Sequence, residues 1–299
     1  MHLLHGRLPN RSWTPIGAAR STDSAPPTRT RVFKWARRQN VNNNIGEIVT
    51  DTSQPYRDRN IVITGGSTGF GLATARLLTD GGARVMITGR NQEALAAAQA
   101  SLGDAAIAVG SDAASLPDIE ALATRVKGEF GTLDGLFANA GISGFAPFLE
   151  TSKHMFEQLL SINTLGPYFT VQKLAPHLAP GSGVVLTTSV ANTLGLPMLS
   201  AYSAGKAAVR AMARGLGREL LPQGIRVNAI SPGPIDSGVL AKSMPPEVAA
   251  QTESQMAADN PMQRMGSVDE IAKAVVFLLF DATYTTGAEL VVDGGGSQL

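Results

Sequence analysis

Tyr202 and Lys206 lie in "LSAYSAGKAAVRAM", a stretch otherwise composed mainly of small residues. The pattern predicts a helix, on which residues four positions apart share one face. A free phenol has a pKa of about 10 and is a poor proton carrier at neutral pH, whereas a neighbouring ammonium favours the phenolate and lowers this pKa. The pair can therefore act as a general acid/base without a histidine. The same spacing also occurs in purely structural helices, so other residues must support this chemistry.

Two further polar residues support it. Ser189 closes the apolar run "VVLTTS", thirteen residues before Tyr202, and its hydroxyl can hydrogen-bond a substrate oxygen. Asn163 lies within "LLSINTLGPYF", in the middle of a predicted helix where asparagine is unfavourable. We interpret Asn163 as a residue that bends the helix or holds a water.

A glycine-rich loop, "TGGSTGFG", follows the first predicted strand and leads into a predicted helix. Gly65, Gly69 and Gly71 would allow a tight turn and the close approach of a pyrophosphate to the helix N-terminus. The second predicted strand ends in "ITGRN", where Gly89 and Arg90 replace the acid that usually binds the ribose of NAD. Arg90 either accepts a 2′-phosphate or is a solvated residue at a helix start. We predict that NADP(H) is favoured over NAD(H).

With these motifs in this order, residues 58–299 resemble the classical short-chain dehydrogenase/reductase family. The matching stretches are "TGGSTGFG", "SDAA", "ANAG", "SIN", Ser189, "YSAGK", "SPGPIDSG" and "TTGAELVVDGG". The resemblance implies that Tyr202 is the general acid/base and that Lys206 lowers its pKa and binds the nicotinamide ribose. It implies that Ser189 orients the substrate oxygen and that Asn163 anchors a proton-relay water.

The resemblance also implies a coenzyme site and a homotetramer. Three positions depart from the usual family pattern: Phe70, Ala138 and Ser237. The coenzyme contacts would be made by Gly65, Ser67, Thr68, Gly69, Phe70, Gly71, Arg90, Asp112, Ala113, Asn139, Ala140, Gly141, Tyr202, Lys206, Pro232, Gly233, Ile235 and Ser237. The tetramer would place the helices containing Asn163 and Tyr202 and the C-terminal strand at its interfaces.

These residues need a scaffold, and short apolar runs alternate with helical stretches from Asn60 onward. Such runs are typical of parallel strands that are covered on both faces. We predict a single α/β domain: a Rossmann-type doubly wound parallel sheet of about seven strands with helices on both faces. The predicted strands are 60–64, 84–88, 105–110, 133–138, 183–188, 225–230 and 288–292. The predicted helices are 70–80, 91–101, 117–129, 152–178, 201–221 and 267–279.

The predicted function is an NAD(P)-dependent oxidoreductase that transfers a hydride between nicotinamide and a secondary alcohol or ketone. Residues 236–262 are rich in Met and Pro and are expected to form a substrate lid. Ile142, Phe145, Leu194 and Leu196 would complete an apolar pocket for a small uncharged substrate. The alternative is a non-catalytic dinucleotide-binding regulator on the same fold. A serine hydrolase is disfavoured because Ser189 lacks a G-x-S-x-G elbow.

Composition excludes several other classes of function. The chain has no cysteine and four histidines, so we expect neither disulfides nor a metal site. Eight of its 25 basic residues lie before residue 47, and the remainder is acidic, which disfavours nucleic acid. No apolar run is long enough to span a membrane. Residues 1–57 are predicted to be a flexible basic leader, with organellar targeting as the alternative to a cytoplasmic location.

Overall fold

Residues 54–299 are described by a computed structural model. Most of the predicted leader therefore lies outside the described residues. A seven-stranded parallel sheet, in the order β3-β2-β1-β4-β5-β6-β9, forms the centre of the described part. Its strands are β1 (Asn60–Thr64), β2 (Arg84–Gly89), β3 (Ala106–Gly110), β4 (Leu133–Ala138), β5 (Leu178–Thr187), β6 (Arg226–Pro232) and β9 (Glu289–Val292). The predicted doubly wound sheet is confirmed.

Helices cover both faces of this sheet, and each face has its own apolar core. On one face of the sheet, residues of α1, α2 and α9 form the first core. On the other face, residues of α3, α5 and α6 form the second. Alternate residues of β1 serve the two cores, with Ile61 and Ile63 in the first and Val62 in the second. The helices are α1 (Gly69–Asp80), α2 (Gln92–Leu102), α3 (Leu116–Glu129), α4 (Lys153–Leu160), α5 (Gly166–Leu174), α6 (Ser200–Leu220), α7 (Val239–Ser243), α8 (Pro246–Asp259) and α9 (Val268–Val276).

The strand order reverses between β1 and β4, because the chain first adds strands on one side of β1 and then on the other. In sheets of this kind, ligands bind outside the carboxyl ends of the strands at such a reversal. The loops after β1 and β4 contain "TGGSTGFG" and "ANAG", so the sheet brings both predicted motifs to this point.

The predicted single helix 152–178 is wrong in detail. The structure divides it into α4, a π-helical turn at Ser161–Leu165, and α5, and β5 already begins at Leu178. Pro167 lies in the first turn of α5, where its missing N–H cannot continue the preceding hydrogen-bond ladder. Asn163 lies inside the π-helical turn, and π-helical turns are frequent at functional sites.

The predicted lid contains regular structure that its sequence pattern did not indicate. It forms α7 and α8, and α8 begins with Pro246 in a position that proline tolerates. Before and after the lid, the two-residue strands β7 (Ile235–Asp236) and β8 (Gly266–Ser267) pair in parallel. The weak amphipathic pattern of this segment explains why its helices were missed, since periodicity is the main sequence signal.

Candidate active site

The glycine-rich loop turns sharply from β1 into α1. Gly65 and Gly69 have φ values of 66° and 54°, in the left-handed region that favours glycine. A Cβ at Gly71 would collide with the carbonyl oxygen of Gly65, so the loop and the helix start touch through their backbones. Thr68, the N-cap residue of α1, makes no side-chain cap. The first N–H groups of α1 therefore remain available to a ligand at this end of the helix.

The "ANAG" turn after β4 is tied to the end of β1. The backbone N–H groups of Asn139 and Ala140 donate to Oγ1 of Thr64 over 3.0 and 3.1 Å. Nδ2 of Asn139 donates to the carbonyl oxygens of Thr64 and Gly65, each over 3.2 Å. These bonds hold the two predicted coenzyme loops side by side.

The end of β2 lies next to the glycine-rich loop. A Cβ at Gly89 would lie 3.0 Å from Oγ of Ser67, so little space remains there for a side chain. Arg90 is exposed, and its Nη1 lies 3.8 Å from Oδ2 of Asp112. Ala113 follows Asp112, and its carbonyl oxygen would lie 2.6 Å from a Cβ at Gly166. Arg90 thus points along the coenzyme edge of the sheet, with one weak ion pair across to the end of β3.

Asn163 is buried in the π-helical turn and binds the backbone of the loop after β4. Its Oδ1 accepts from the N–H of Ile142 over 2.8 Å, and its Nδ2 donates to the carbonyl oxygen of the same residue over 2.9 Å. A Cβ at Gly141 would lie 2.8 Å from this Oδ1. The asparagine therefore fixes the Gly141–Ile142 backbone, which explains a polar residue in the middle of a helix.

Lys206 is only 4% exposed, although it carries a charge at neutral pH. Its Nζ donates to the carbonyl oxygen of Thr187, at the end of β5, over 2.9 Å. Burial lowers the pKa of the ammonium to about 8, because the apolar surroundings disfavour the charged form. The ammonium lies close to the "ANAG" turn, because a Cβ at Gly141 would lie 3.6 Å from this Nζ.

Tyr202 and Lys206 lie on the same face of α6, as predicted, with Nζ 5.7 Å from the centre of the phenol ring. Burial raises the pKa of Tyr202, and a hydrogen bond with Ser189 opposes this rise. The ammonium of Lys206 lies over the ring and donates to Thr187.

Ser189 begins the loop that follows β5. Its Oγ accepts from the N–H of Ala191 over 3.2 Å and caps a short 3₁₀ turn at Val190–Asn192. Asn192 donates from Nδ2 to the carbonyl oxygen of Ser189 over 2.6 Å. Hydrogen bonds on both sides of this 3₁₀ turn therefore fix the backbone of the loop that carries the serine hydroxyl.

The segment after β6 lies beside the glycine-rich loop. The N–H of Gly233 donates to the carbonyl oxygen of Val292 over 2.9 Å, and Ile235 is buried. A Cβ at Gly69 would lie 3.9 Å from Cβ of Ser237. The structure thus brings the predicted pyrophosphate and nicotinamide segments together. Pro232 is the last residue of β6.

The four predicted substrate-facing residues lie on two loops that touch. The N–H of Ala146 donates to the carbonyl oxygen of Met198 over 3.0 Å, which joins the loop of Ile142 and Phe145 to that of Leu194 and Leu196. Phe145 and Leu196 are 37% and 39% exposed, so both present apolar surface. A separate cavity of about 500 Å³ lies outside these four residues and is lined by Phe148, Ser152, Phe156 and Ala201, among others.

Several polar residues at this site escaped the sequence analysis: Thr187, Asn192, Arg210 and Glu289. Their contacts join residues up to about a hundred positions apart, and no local pattern marks them. Residues 54–299 contain no cluster of three or more His, Cys, Asp or Glu residues that could hold a metal ion. Among the helices that the structure describes, none has the length and apolarity required to cross a membrane.

Comparisons with known proteins agree with this geometry. The profile of a family described as enoyl-(acyl carrier protein) reductase matches residues 65–297. An oxidoreductase from Sarocladium schorii is 37% identical over 82% of this chain and 98% of its own length. An L-rhamnose 1-dehydrogenase (NAD(P)(+)) from Azotobacter vinelandii is 34% identical over 80% of this chain and 96% of its own.

Solved structures give the same result. The crystal structure of a short-chain dehydrogenase/reductase, a glucose/ribitol dehydrogenase from Brucella melitensis, matches with a TM-score of 0.77 and 32% identity. The match covers 83% of this chain and all of the other. These similar proteins are named as enzymes, which supports a catalytic function over the non-catalytic regulator considered above.

Proposed function

This chain belongs to the classical short-chain dehydrogenase/reductase family and is an NAD(P)-dependent oxidoreductase of alcohols and ketones, and we propose that Tyr202 is its general acid/base. The observation that carries this proposal is the position of the phenol, with the buried ammonium of Lys206 over its ring and Ser189 close enough to lower its pKa. In alcohol oxidation, the substrate O–H proton passes to the phenolate oxygen, and in ketone reduction the phenol returns it.

The coenzyme would bind across the carboxyl ends of β1, β4 and β6. The positive φ values of Gly65 and Gly69 and the uncapped start of α1 fit a pyrophosphate there. When bound, the nicotinamide supplies or accepts the hydride. We assign Ser189 to hold the substrate oxygen beside the phenol and Lys206 to bind the ribose. Asn163 acts through the backbone of Ile142, which it holds in place.

The role of Tyr202 is tested by Tyr202→Phe, which keeps the ring and removes the hydroxyl. We expect kcat to fall by at least about 100-fold, because general acid/base catalysis contributes this much, while coenzyme affinity stays within about twofold. Tyr284→Phe is the matched control, because the ring of Tyr284 is fully exposed. Turnover of Tyr202→Phe within a few-fold of the wild type would refute the assignment.

The coenzyme preference is a second part of the proposal. Arg90 is exposed at the end of β2, and no acid stands at Gly89 to repel a 2′-phosphate. The weak contact with Asp112 leaves the guanidinium free to turn toward a phosphate. We propose that NADPH is preferred over NADH by about tenfold to a hundredfold, the value of one charged hydrogen bond.

Measured kcat/KM values with both coenzymes test this preference. Arg90→Ala should lower kcat/KM for NADPH by about tenfold and leave NADH within about twofold. Arg125→Ala, which removes an exposed arginine on α3 paired only with Glu129, is the control. Equal losses with both coenzymes, or a wild-type preference for NADH, would show that Arg90 does not recognise the phosphate.

We propose a small uncharged alcohol or carbonyl compound as the substrate. Ile142, Phe145, Leu194 and Leu196 would line the place of its carbon skeleton, and none of these apolar side chains offers a charge to pair. A panel of aldoses, polyols and cyclic ketones, assayed with NADPH and NADH at 340 nm, tests the substrate class. Activity confined to carboxylate substrates would contradict it.

A homotetramer in the cytoplasm completes the proposal. Exposed apolar residues on and beside α4 and α5 support a subunit interface: Phe148, Phe156, Leu165 and Tyr168. Light scattering at micromolar concentration should give four times the chain mass, and a monomer mass would contradict this. A fluorescent fusion to the full chain tests the location, and import into an organelle would favour a targeting role for the basic leader.

A further inference from the structure

A buried carboxylate to which no role has been assigned so far joins the loop of Ser189 to α6, the helix of Tyr202 and Lys206. Glu289 is the first residue of β9, and its side chain is only 9% exposed. Its Oε1 accepts from Oγ1 of Thr188 over 2.9 Å and from Nδ2 of Asn192 over 2.6 Å. Its Oε2 lies 2.7 Å from Nε of Arg210, an ion pair in which the N–H does not point at the carboxylate. A buried carboxylate with this many partners holds all of them in a fixed arrangement.

The partners of Glu289 lie on both sides of Ser189. Thr188 precedes the serine directly, and Asn192 also donates to the carbonyl oxygen of Ser189 over 2.6 Å. Oγ1 of Thr188 also lies 2.7 Å from the carbonyl oxygen of Ile230, so its single proton is shared between this oxygen and Glu289. The loop that presents the serine hydroxyl is thus attached to the carboxylate before and after that residue.

The third partner of Glu289 lies on the helix of Tyr202 and Lys206. Arg210 is four residues after Lys206 on α6, one turn further along the helix. A single carboxylate therefore connects the serine loop to the helix that carries the phenol. The distance between Oγ of Ser189 and the phenol depends on the relative position of these two elements.

We propose that Glu289 is a positioning residue, which holds the Ser189 loop against α6 so that the serine and Tyr202 meet the same substrate oxygen. This inference rests on the proposed roles of Ser189 and Tyr202. A loss of this support moves the serine and leaves the coenzyme loops of β1 and β4 in place, because those loops are tied by Thr64 and Asn139. The effect should therefore fall on kcat and spare coenzyme binding.

Glu289→Met and Glu289→Gln separate positioning from a general loss of structure. Methionine fills a similar volume but removes both carboxylate oxygens. We expect kcat for ketone reduction to fall by about tenfold or more, with the coenzyme KM within about twofold, because small displacements of reacting groups are costly. Glutamine keeps an oxygen that can accept from Thr188 and Asn192 but places an amide NH2 against Arg210, so Glu289→Gln should lose the link to α6 and lower kcat less than Glu289→Met does.

A matched control removes a different carboxylate that pairs with an arginine. Asp134 accepts from Nη1 of Arg59 over 2.6 Å and from the N–H of Asn60 over 2.9 Å, at the opposite edge of the sheet. Asp134→Asn should lower the melting temperature and leave kcat within about twofold, because its contacts are far from the serine loop.

A double-mutant cycle with Ser189→Ala decides whether Glu289 acts through the serine. In the Ser189→Ala background, Glu289→Met should lower kcat by less than about twofold, because the hydroxyl that it positions is already absent. A folded Glu289→Met enzyme with wild-type kcat would overturn the proposal, and so would losses that multiply in the double mutant. If Glu289→Met does not fold, Asn192→Ala replaces it in the cycle under the same criteria. An unchanged kcat in Ser189→Ala alone would instead refute the proposed role of the serine, and with it the premise of this inference.

Discussion

Replacing Lys206 by methionine should change how the stability of the coenzyme-free protein depends on pH. The ammonium is buried, and its pKa falls from 10.5 to about 8. At 1.36 kcal/mol per pKa unit, this shift corresponds to a cost of about 3 kcal/mol for holding the charge inside the fold. The Lys206→Met variant has no charge at this position, so its free energy of unfolding is not lowered by a buried charge.

The sign of the effect follows from proton uptake. Below pH 8 the lysine is charged in both the folded and the unfolded chain, so the full cost is present. Between pH 8 and 10.5 the unfolded chain binds the proton and the folded chain does not, so the stability contribution of Lys206 becomes less unfavourable as pH rises. Between pH 7 and pH 10, we expect the free energy of unfolding of the wild type to rise by about 2.5 kcal/mol relative to that of Lys206→Met.

Melting temperatures of both proteins at pH 7, 8, 9 and 10, without coenzyme, measure this gain. For a domain of this size it corresponds to about 5–10 °C in the difference between the two melting temperatures. The variant also lacks the hydrogen bond to Thr187, but the stability lost with this bond is the same at every pH and does not change the pH trend. Lys127→Met, on the exposed side of α3, is the control and should show no such trend.

A difference between wild type and Lys206→Met that stays constant within about 2 °C from pH 7 to pH 10 would refute the reasoning. It would mean that the ammonium keeps its ordinary pKa in the folded protein. The buried position and the single bond to Thr187 would then not describe its environment.

Two other predictions concern the backbone around the coenzyme edge. Gly71→Ala should weaken NADPH binding at least about tenfold, because the added Cβ meets the carbonyl of Gly65 and displaces the glycine-rich loop. A fluorescence titration measures the affinity, and a wild-type value would contradict the prediction. Asn163→Ala should lower the free energy of unfolding by about 2–4 kcal/mol, because the N–H and carbonyl of Ile142 both lose their buried partner. Urea unfolding measures this loss, and a value below about 1 kcal/mol would contradict the prediction.

The sequence determined the order and type of the main elements. The runs "IVI" and "VMI" are apolar at every position, and the structure buries them from both faces in β1 and β2. The glycine-rich loop and the four-residue spacing of Tyr202 and Lys206 are local patterns, so their geometry could be predicted before any tertiary contact was known. The helical period is weak in residues 236–262, so the sequence did not predict α7 and α8.

The tertiary structure alone decided which charges and polar groups meet. The π-helical turn at Asn163 depends on the backbone of Ile142, and the lowered pKa of Lys206 depends on how deeply α6 packs on the sheet. Burial, which raises the pKa of Tyr202, and the opposing contact with Ser189 likewise depend on how α6 and the serine loop pack together. Glu289 lies 101 positions after Thr188, and only the addition of β9 beside β6 brings its carboxylate to the serine loop. Such contacts form when separate segments pack together, so no local pattern in the chain encodes them.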